Sequence, residues 1–394
     1  MKFRWIYVLS GIIIMICLGT VYSWSVFRIS VEKYYDVGTT HSGLPYMAAL
    51  AFYALFMFIT GSFLDRYHPR LFIFVGGLVV SVGWIASSFA TNIYMLTFTY
   101  GIVGGAGVGI AYGAPISVVT KWFPEKKGLA VGLVLVGFGV SPLITAPLAR
   151  LLIENYGIMH TFFLLGIIFG CVTSITSFLI KNPSINDVSF YKAEKLSASF
   201  SNLNTANMVR SKSFIGLYLN FTIGTMIGLM LVGMTSNISV ELIGLPRSTT
   251  TWLMTFFALF NGVGRPLFGW ITDKTSPKYA MYISYVLIIC ASILMLFSGE
   301  GSTAMFVIAF SIFWLNLGGW LSIAPTTTIR NYGIEHYSQN YGVVFTAYGI
   351  GAIIGVLTSG VLIDIHGNYH FIFYLIIALS LFGSVITSKY CDNH

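Results

Sequence analysis

Charge is what this sequence has least of. Only 9% of its 394 residues are Asp, Glu, Lys or Arg, where a soluble domain carries roughly a quarter. That scarcity excludes a water-soluble globule of this size. It suits a chain surrounded by lipid, where each charge costs free energy. Cysteine is nearly absent. Cys17, Cys171, Cys290 and Cys391 are scattered with no metal-ligand or redox spacing, so neither a disulfide framework nor a zinc site is expected. Ten-residue alternating strands are missing, which excludes an outer-membrane barrel. The first apolar run follows Lys2 and Arg4 but lacks a small-residue cleavage site, so it reads as a first helix and not a removable leader. The apolar runs hold no paired carboxylates, no His/Glu metal cluster and no nucleophile with a base. No enzyme, metal or cofactor is expected.

What remains is 56% hydrophobic. A spanning helix needs about 20 apolar residues. Twelve such stretches are readable, near 5–27, 43–63, 71–91, 95–119, 128–152, 158–180, 213–237, 248–271, 279–298, 302–325, 340–363 and 369–388. The fold class is therefore an all-α integral membrane protein with twelve transmembrane helices. Taking the N-terminus as cytoplasmic places 16 of the 21 basic residues inside. Arg28, Lys33, Arg150 and Arg247 fall outside, and Arg265 falls within a span. That bias puts both termini in the cytoplasm of a cell-membrane protein. The net charge of +8 is thus topological, and no nucleic-acid partner is expected. Gly104, Gly105, Gly107 and Gly109 have no preceding strand and no following Lys-Ser/Thr, so they serve helix packing and not a nucleotide.

The longest polar stretch, 181–212, divides the chain into residues 1–180 and 213–394, with six spans in each. The two parts carry one pattern twice. Gly61-Ser-Phe-Leu-Asp65-Arg66-Tyr-His-Pro69-Arg70 follows span 2. Gly269-Trp-Ile-Thr-Asp273-Lys274-Thr-Ser-Pro277-Lys278 follows span 8, 208 residues later. Ala114-Pro115 and Ala324-Pro325 repeat in spans 4 and 10. Parallel repeats imply a binding site near the bilayer midplane, between the two parts. Pro115, Pro142, Pro147 and Pro325 are expected kinks.

The repeated loop resembles the signature loop of the major facilitator superfamily. Five further segments narrow the resemblance: Leu18-Gly-Thr-Val-Tyr22-Ser-Trp24-Ser-Val-Phe27, Gly107-Val-Gly-Ile-Ala-Tyr112-Gly, Lys121-Trp-Phe-Pro124-Glu-Lys-Lys-Gly128, Asn261-Gly-Val-Gly-Arg265-Pro-Leu-Phe-Gly269 and Asn340-Tyr-Gly342. Together they are similar to the oxalate:formate antiporter family of carboxylate transporters. The resemblance implies two pseudo-symmetric six-helix halves and alternating access. It also implies that Asp65, Arg66, Asp273 and Lys274 gate the cytoplasmic side.

Arg265 is the one basic residue well inside a predicted span, and no Asp or Glu lies deep enough to offset it. It either snorkels to water or backbone carbonyls, or it meets an anionic ligand, which a guanidinium binds two bonds at a time. The resemblance favours the ligand, because the family's matching arginine binds the substrate carboxylate. In the oxalate transporter resembled here, a lysine stands at the place of Tyr348. With Arg265 alone, a dianion would leave a charge unpaired in a low-dielectric cavity, so a monoanion fits better. Val21, Ala49, Leu317 and Phe345 replace polar or larger residues of that transporter, giving a more apolar pocket.

Tyr22, Tyr112, Phe138 and Trp320 are candidate pocket aromatics, in a chain whose 32 Phe, 23 Tyr and 8 Trp mostly face lipid or its interface. Asn261 lies one turn before Arg265 on the same face. The related animal monocarboxylate transporters have an aspartate at this spacing, tied to proton coupling, and an amide cannot titrate. The expectation is a secondary transporter of small monocarboxylates of the lactate, pyruvate, acetate or formate type. Oxalate-type dicarboxylate exchange is the alternative, followed by a transporter-like sensor. A co-transported proton, a counter-transported anion and uniport all stay open. The chain is expected to act as a monomer in the lipid bilayer.

Overall fold

The computed structural model describes residues 4–64, 67–123, 127–183, 203–333 and 336–390. Among these the secondary structure is entirely helical. Ten segments are long and apolar enough to cross a membrane. One of them, Ala130–Leu179, is 50 residues long and breaks at Gly157, whose φ of 77° disfavours any residue with a side chain. The break separates α5 (127–156) from α6 (158–179). The others are α1 (Trp5–Tyr35), α2 (Thr39–Gly61), α3 (Pro69–Ser87), α4 (Ile93–Val119), α7 (Lys212–Leu242), α9 (Pro277–Leu296), α10 (Thr303–Tyr332), α11 (Gln339–His366) and α12 (His370–Tyr390). A more polar helix, α8 (Arg247–Lys274), packs among them. Among the described residues there are thus ten candidate spans, one of them broken at Gly157, and the further long helix α8.

The repeated loop has a physical role. Its proline opens the next helix both times, at Pro69 of α3 and Pro277 of α9. Proline is suited to that position because its missing N–H would be unpaired there anyway. His68 accepts from the Arg70 amide at 3.3 Å, and Ser276 from the Tyr279 amide at 3.3 Å, so a side chain caps each start. Pro115, Pro147 and Pro325 lie inside helices as expected, joined by Pro45 and Pro266. Pro142 instead sits at the start of a helical segment, just after a break at Val140.

One expectation needs correction. The apolar run and the charge count end the first span near residue 27 and place Arg28 outside it. In the structure α1 tightens into a 3-10 turn at Gly19–Ser23 and then runs on to Tyr35. Arg28 is therefore helical and only 1% exposed. Its Nε lies 3.5 Å from Glu32 Oε1, one turn on. Its guanidinium also donates to Ser42 Oγ and to the Gly233 carbonyl, each at 3.0 Å.

Contacts between the first six and last six helices run along α2–α11, α5–α8 and the second part of α1 against α7. Within the last six, α8 lies close to α10. A side-chain carbon at Gly318 would collide with the Asn261 carbonyl, so glycine permits this approach. Of the 181–212 stretch, residues 184–202 lie outside the described residues. A short helix, Thr205–Val209, follows, and Leu203 is tied by backbone and side-chain bonds to Tyr332 and Asn340.

Candidate functional site

The 3-10 turn in α1 buries Tyr22. Its hydroxyl lies 3.0 Å from that of Tyr348 on α11. Phe138, from α5, meets Tyr22 edge-on at 5.1 Å and Tyr112 of α4 at 5.3 Å. Tyr53 of α2 joins them, 5.1 Å from Tyr112, 5.3 Å from Phe345 and 5.6 Å from Tyr348. Phe345 stacks on Tyr348 at 4.9 Å. Helices from both ends of the chain therefore build one aromatic cage, with ring separations in the range where such pairs attract.

Arg265 reaches this cage from α8. Its guanidinium carbon lies 5.9 Å from the Phe138 ring centre, close enough for a cation–π contact. The residue is 2% exposed, and Nε, Nη1 and Nη2 are all buried without a hydrogen-bond partner among the described residues. Arg28 and Arg265 are the two charged residues buried among the described residues. Arg28 has hydrogen-bond partners; Arg265 has none among the described residues. A buried donor left unpaired costs about 1–3 kcal/mol, and more when charged. Five N–H groups with no acceptor are an arrangement an anion completes.

Asn261 sits one turn earlier on α8 and is fully buried. Its Nδ2 donates to the Trp314 carbonyl at 3.3 Å. Its Oδ1 has no partner among the described residues. Gly139, at the break in α5, faces both side chains.

The structure brings Arg265, Asn261, Tyr22, Tyr112, Phe138 and Tyr348 into one region. It does not bring Trp320 there. That ring packs on Gly224 of α7 and lies 5.4 Å from Tyr285 of α9. Val21 and Ala49 line a cavity of about 20 Å³ with Cys17 and Tyr53, beside the cage. Asp273 and Lys274 are exposed at the end of α8, and neither forms an ion pair among the described residues. Asp65 and Arg66 lie outside the described residues. Tyr53 carries no signal in the sequence, because one more tyrosine in an apolar helix has no pattern of its own.

Comparison with known proteins identifies the family. The Major Facilitator Superfamily profile matches residues 9–347 and 214–391. The chain belongs to the major facilitator superfamily. Among its relatives is the oxalate:formate antiporter of Oxalobacter formigenes, 28% identical over 89% of this chain and 83% of that one. Human monocarboxylate transporter 12 is 26% identical over 80% of this chain and 66% of its own length. A bacterial homolog of the human lysosomal transporter Spinster, solved inward-facing and unoccupied, has the same fold. It superposes with a TM-score of 0.73 at 14% identity, over 98% of this chain and 96% of that one. The major facilitator fold thus agrees with the all-helical architecture of the described residues.

Proposed function

We propose that this protein moves small organic anions, above all monocarboxylates, across a membrane by alternating access. The observation that carries the reading is Arg265, a buried cation with three unpartnered nitrogens facing an aromatic cage. The substrate carboxylate pairs with the guanidinium, while the rings of Tyr22, Tyr53, Tyr112, Phe138 and Tyr348 exclude water and hold a short apolar tail. The relatives named for oxalate:formate antiport and monocarboxylate transport support the substrate class.

Residues 1–180 and 213–394 act as two rocking halves joined by 181–212, with both termini in the cytoplasm. The positive-inside bias supports that orientation. Asp65, Arg66, Asp273 and Lys274 then lie on the cytoplasmic side, where they act in gating. Among the described residues no Asp, Glu or His belongs to the cage, so exchange, uniport or a proton carried on the substrate all fit it. The one-cation cage favours a monoanion over oxalate, the substrate named for the Oxalobacter relative.

Uptake of labelled lactate, propanoate, acetate, formate and oxalate into proteoliposomes, with and without internal counter-anion, tests this. Saturable monocarboxylate uptake that Arg265→Gln abolishes is expected. Uptake of none of these acids by properly inserted protein would sink the reading.

A further inference from the structure

Helix α2 begins without a cap of its own. The residue before it, Gly38, has no side chain to offer, although the first N–H groups of any helix lack partners within it. The acceptor comes from the other end of the chain. Asp364, near the end of α11, accepts from the Thr39 amide at 3.2 Å with Oδ1 and from the Thr40 amide at 3.0 Å with Oδ2. A carboxylate bonded to backbone N–H groups is a charge-assisted pair, and it sits where the helix dipole favours negative charge. The same turn is held from its carbonyl side. Arg28 donates to the Thr39 carbonyl and also to the Gly233 carbonyl of α7.

The two helices are tightly packed beside these bonds. Val356, Gly360 and Asp364 follow one another at four-residue spacing on one face of α11. A side-chain carbon at Gly360 would stand 2.7 Å from the Thr40 Cα, and one at Gly43 would stand 2.8 Å from the Val356 side chain. Toward the other end of the same helix pair, a carbon at Gly342 would stand 3.6 Å from the Phe58 Cα, an ordinary contact. The α2–α11 seam is thus tighter beside Asp364 than at Gly342. Asp364 is itself exposed. When the seam parts, water can take over both the carboxylate and the two amides, so the contact can break and reform without the penalty of an abandoned buried charge.

We propose that Asp364 is a latch that holds the end of the bundle remote from both chain termini shut at rest. It joins a helix of the first six to a helix of the last six, so opening that end breaks both of its bonds. This rests on the proposal that the two halves rock against each other.

The test uses the full chain with its native cysteines replaced. Val356→Cys places a thiol behind the latch, at a buried position. Its rate of reaction with an impermeant methanethiosulfonate applied from the outer side reports how often that end opens. Asp364→Asn keeps the size of the side chain but removes its charge. It should raise the rate about two- to fivefold, the factor that a charge lost from a helix N-terminus supplies. Asp364→Glu keeps the charge and should stay closer to wild type. An unchanged rate in Asp364→Asn overturns the latch. A second experiment pairs Gly38→Cys with Asp364→Cys, since a carbon at Gly38 would lie 3.7 Å from Asp364 Cγ, near enough for a disulfide. Oxidation should stop labelled lactate uptake into proteoliposomes, and a reductant should restore it. Cross-linked protein that carries lactate at an undiminished rate would show that these two ends stay together throughout the cycle, which overturns the latch, as does failure of the two thiols to cross-link. If the protein carries no carboxylate at all, the proposed function fails, and the latch is then judged by the thiol rate alone.

Discussion

The hydroxyl of Tyr22 lies 3.0 Å from the hydroxyl of Tyr348, joining α1 to α11 across 326 residues of sequence. The bond is fully buried within the ring cage. On the proposed reading it joins the two moving parts beside the cation that holds the substrate. Tyr22→Phe and Tyr348→Phe should each weaken substrate affinity, by about 0.5–1.5 kcal/mol for a lost hydrogen bond. The double variant should lose less than the sum, because the first change already deprives the second hydroxyl of its partner. Additive losses in a double-mutant cycle of apparent affinities would show that the hydroxyls act separately.

Arg265 has a sharper expectation. Arg265→Gln keeps length and polarity but removes the cation, and should cost about 2 kcal/mol or more in anion binding. Arg265→Lys keeps the charge but loses the planar fork, so it should also fall well below wild type. Initial rates of carboxylate uptake, normalised to protein in the membrane, provide the measurement. Near-normal uptake by Arg265→Gln would assign the arginine a structural role.

Arg28 is the contrasting case. It is buried like Arg265 but bonded to Ser42, Gly233 and Glu32. Glu32 also accepts from Asn237 of α7 at 3.3 Å. These bonds tie α1 to α7 at the end of the bundle remote from the termini. Arg28→Gln should loosen that end. A single cysteine replacing Ser42, in a cysteine-free background, should then react several-fold faster with an impermeant thiol reagent applied from that side. An unchanged rate would show that the Arg28 bonds do not hold the end shut.

Orientation can be checked in the same background. Lys33 and Lys274 are both exposed and fall on opposite sides by the charge count. Lys33→Cys should label only from outside intact cells and Lys274→Cys only after permeabilisation. Labelling of both from one side would overturn the assignment.

The helices were legible because lipid demands long apolar runs, and nothing else in the sequence competes with that signal. Arg265 was legible for the same reason, as a cation with no carboxylate near it in an apolar run. Arg28 was not, because it follows the apolar run by one residue. Tyr53 and Trp320 went opposite ways. An aromatic residue in a spanning helix can face lipid, a neighbouring helix or a cage, and composition does not distinguish these. Trp320 turned to Gly224 and Tyr285, whereas Tyr53 turned inward. The direction of Asn261 Oδ1 depends on the Trp314 carbonyl, 53 residues away, so no local pattern could carry it.

On the proposed reading, Tyr348 links the cage to substrate charge. The cage holds one cation, so a bound monoanion makes it neutral, and a dianion leaves one negative charge unpaired in a medium where that is costly. Tyr348→Lys places a second cation on α11, next to Tyr22 and Phe345. It should shift preference toward oxalate and weaken monoanions, which then leave a cation uncompensated. The new ammonium also forfeits the Tyr22–Tyr348 bond and the Phe345 stacking, so overall rates should fall for every substrate. The readout is therefore the oxalate-to-lactate ratio in competition uptake, not the rate. A tenfold change in that ratio corresponds to about 1.4 kcal/mol, small beside the cost of a buried unpaired charge, so an effect of at least that size is expected. Wild-type protein that already prefers oxalate would contradict the charge argument. An active Tyr348→Lys variant with an unchanged ratio would place residue 348 outside the reach of the substrate.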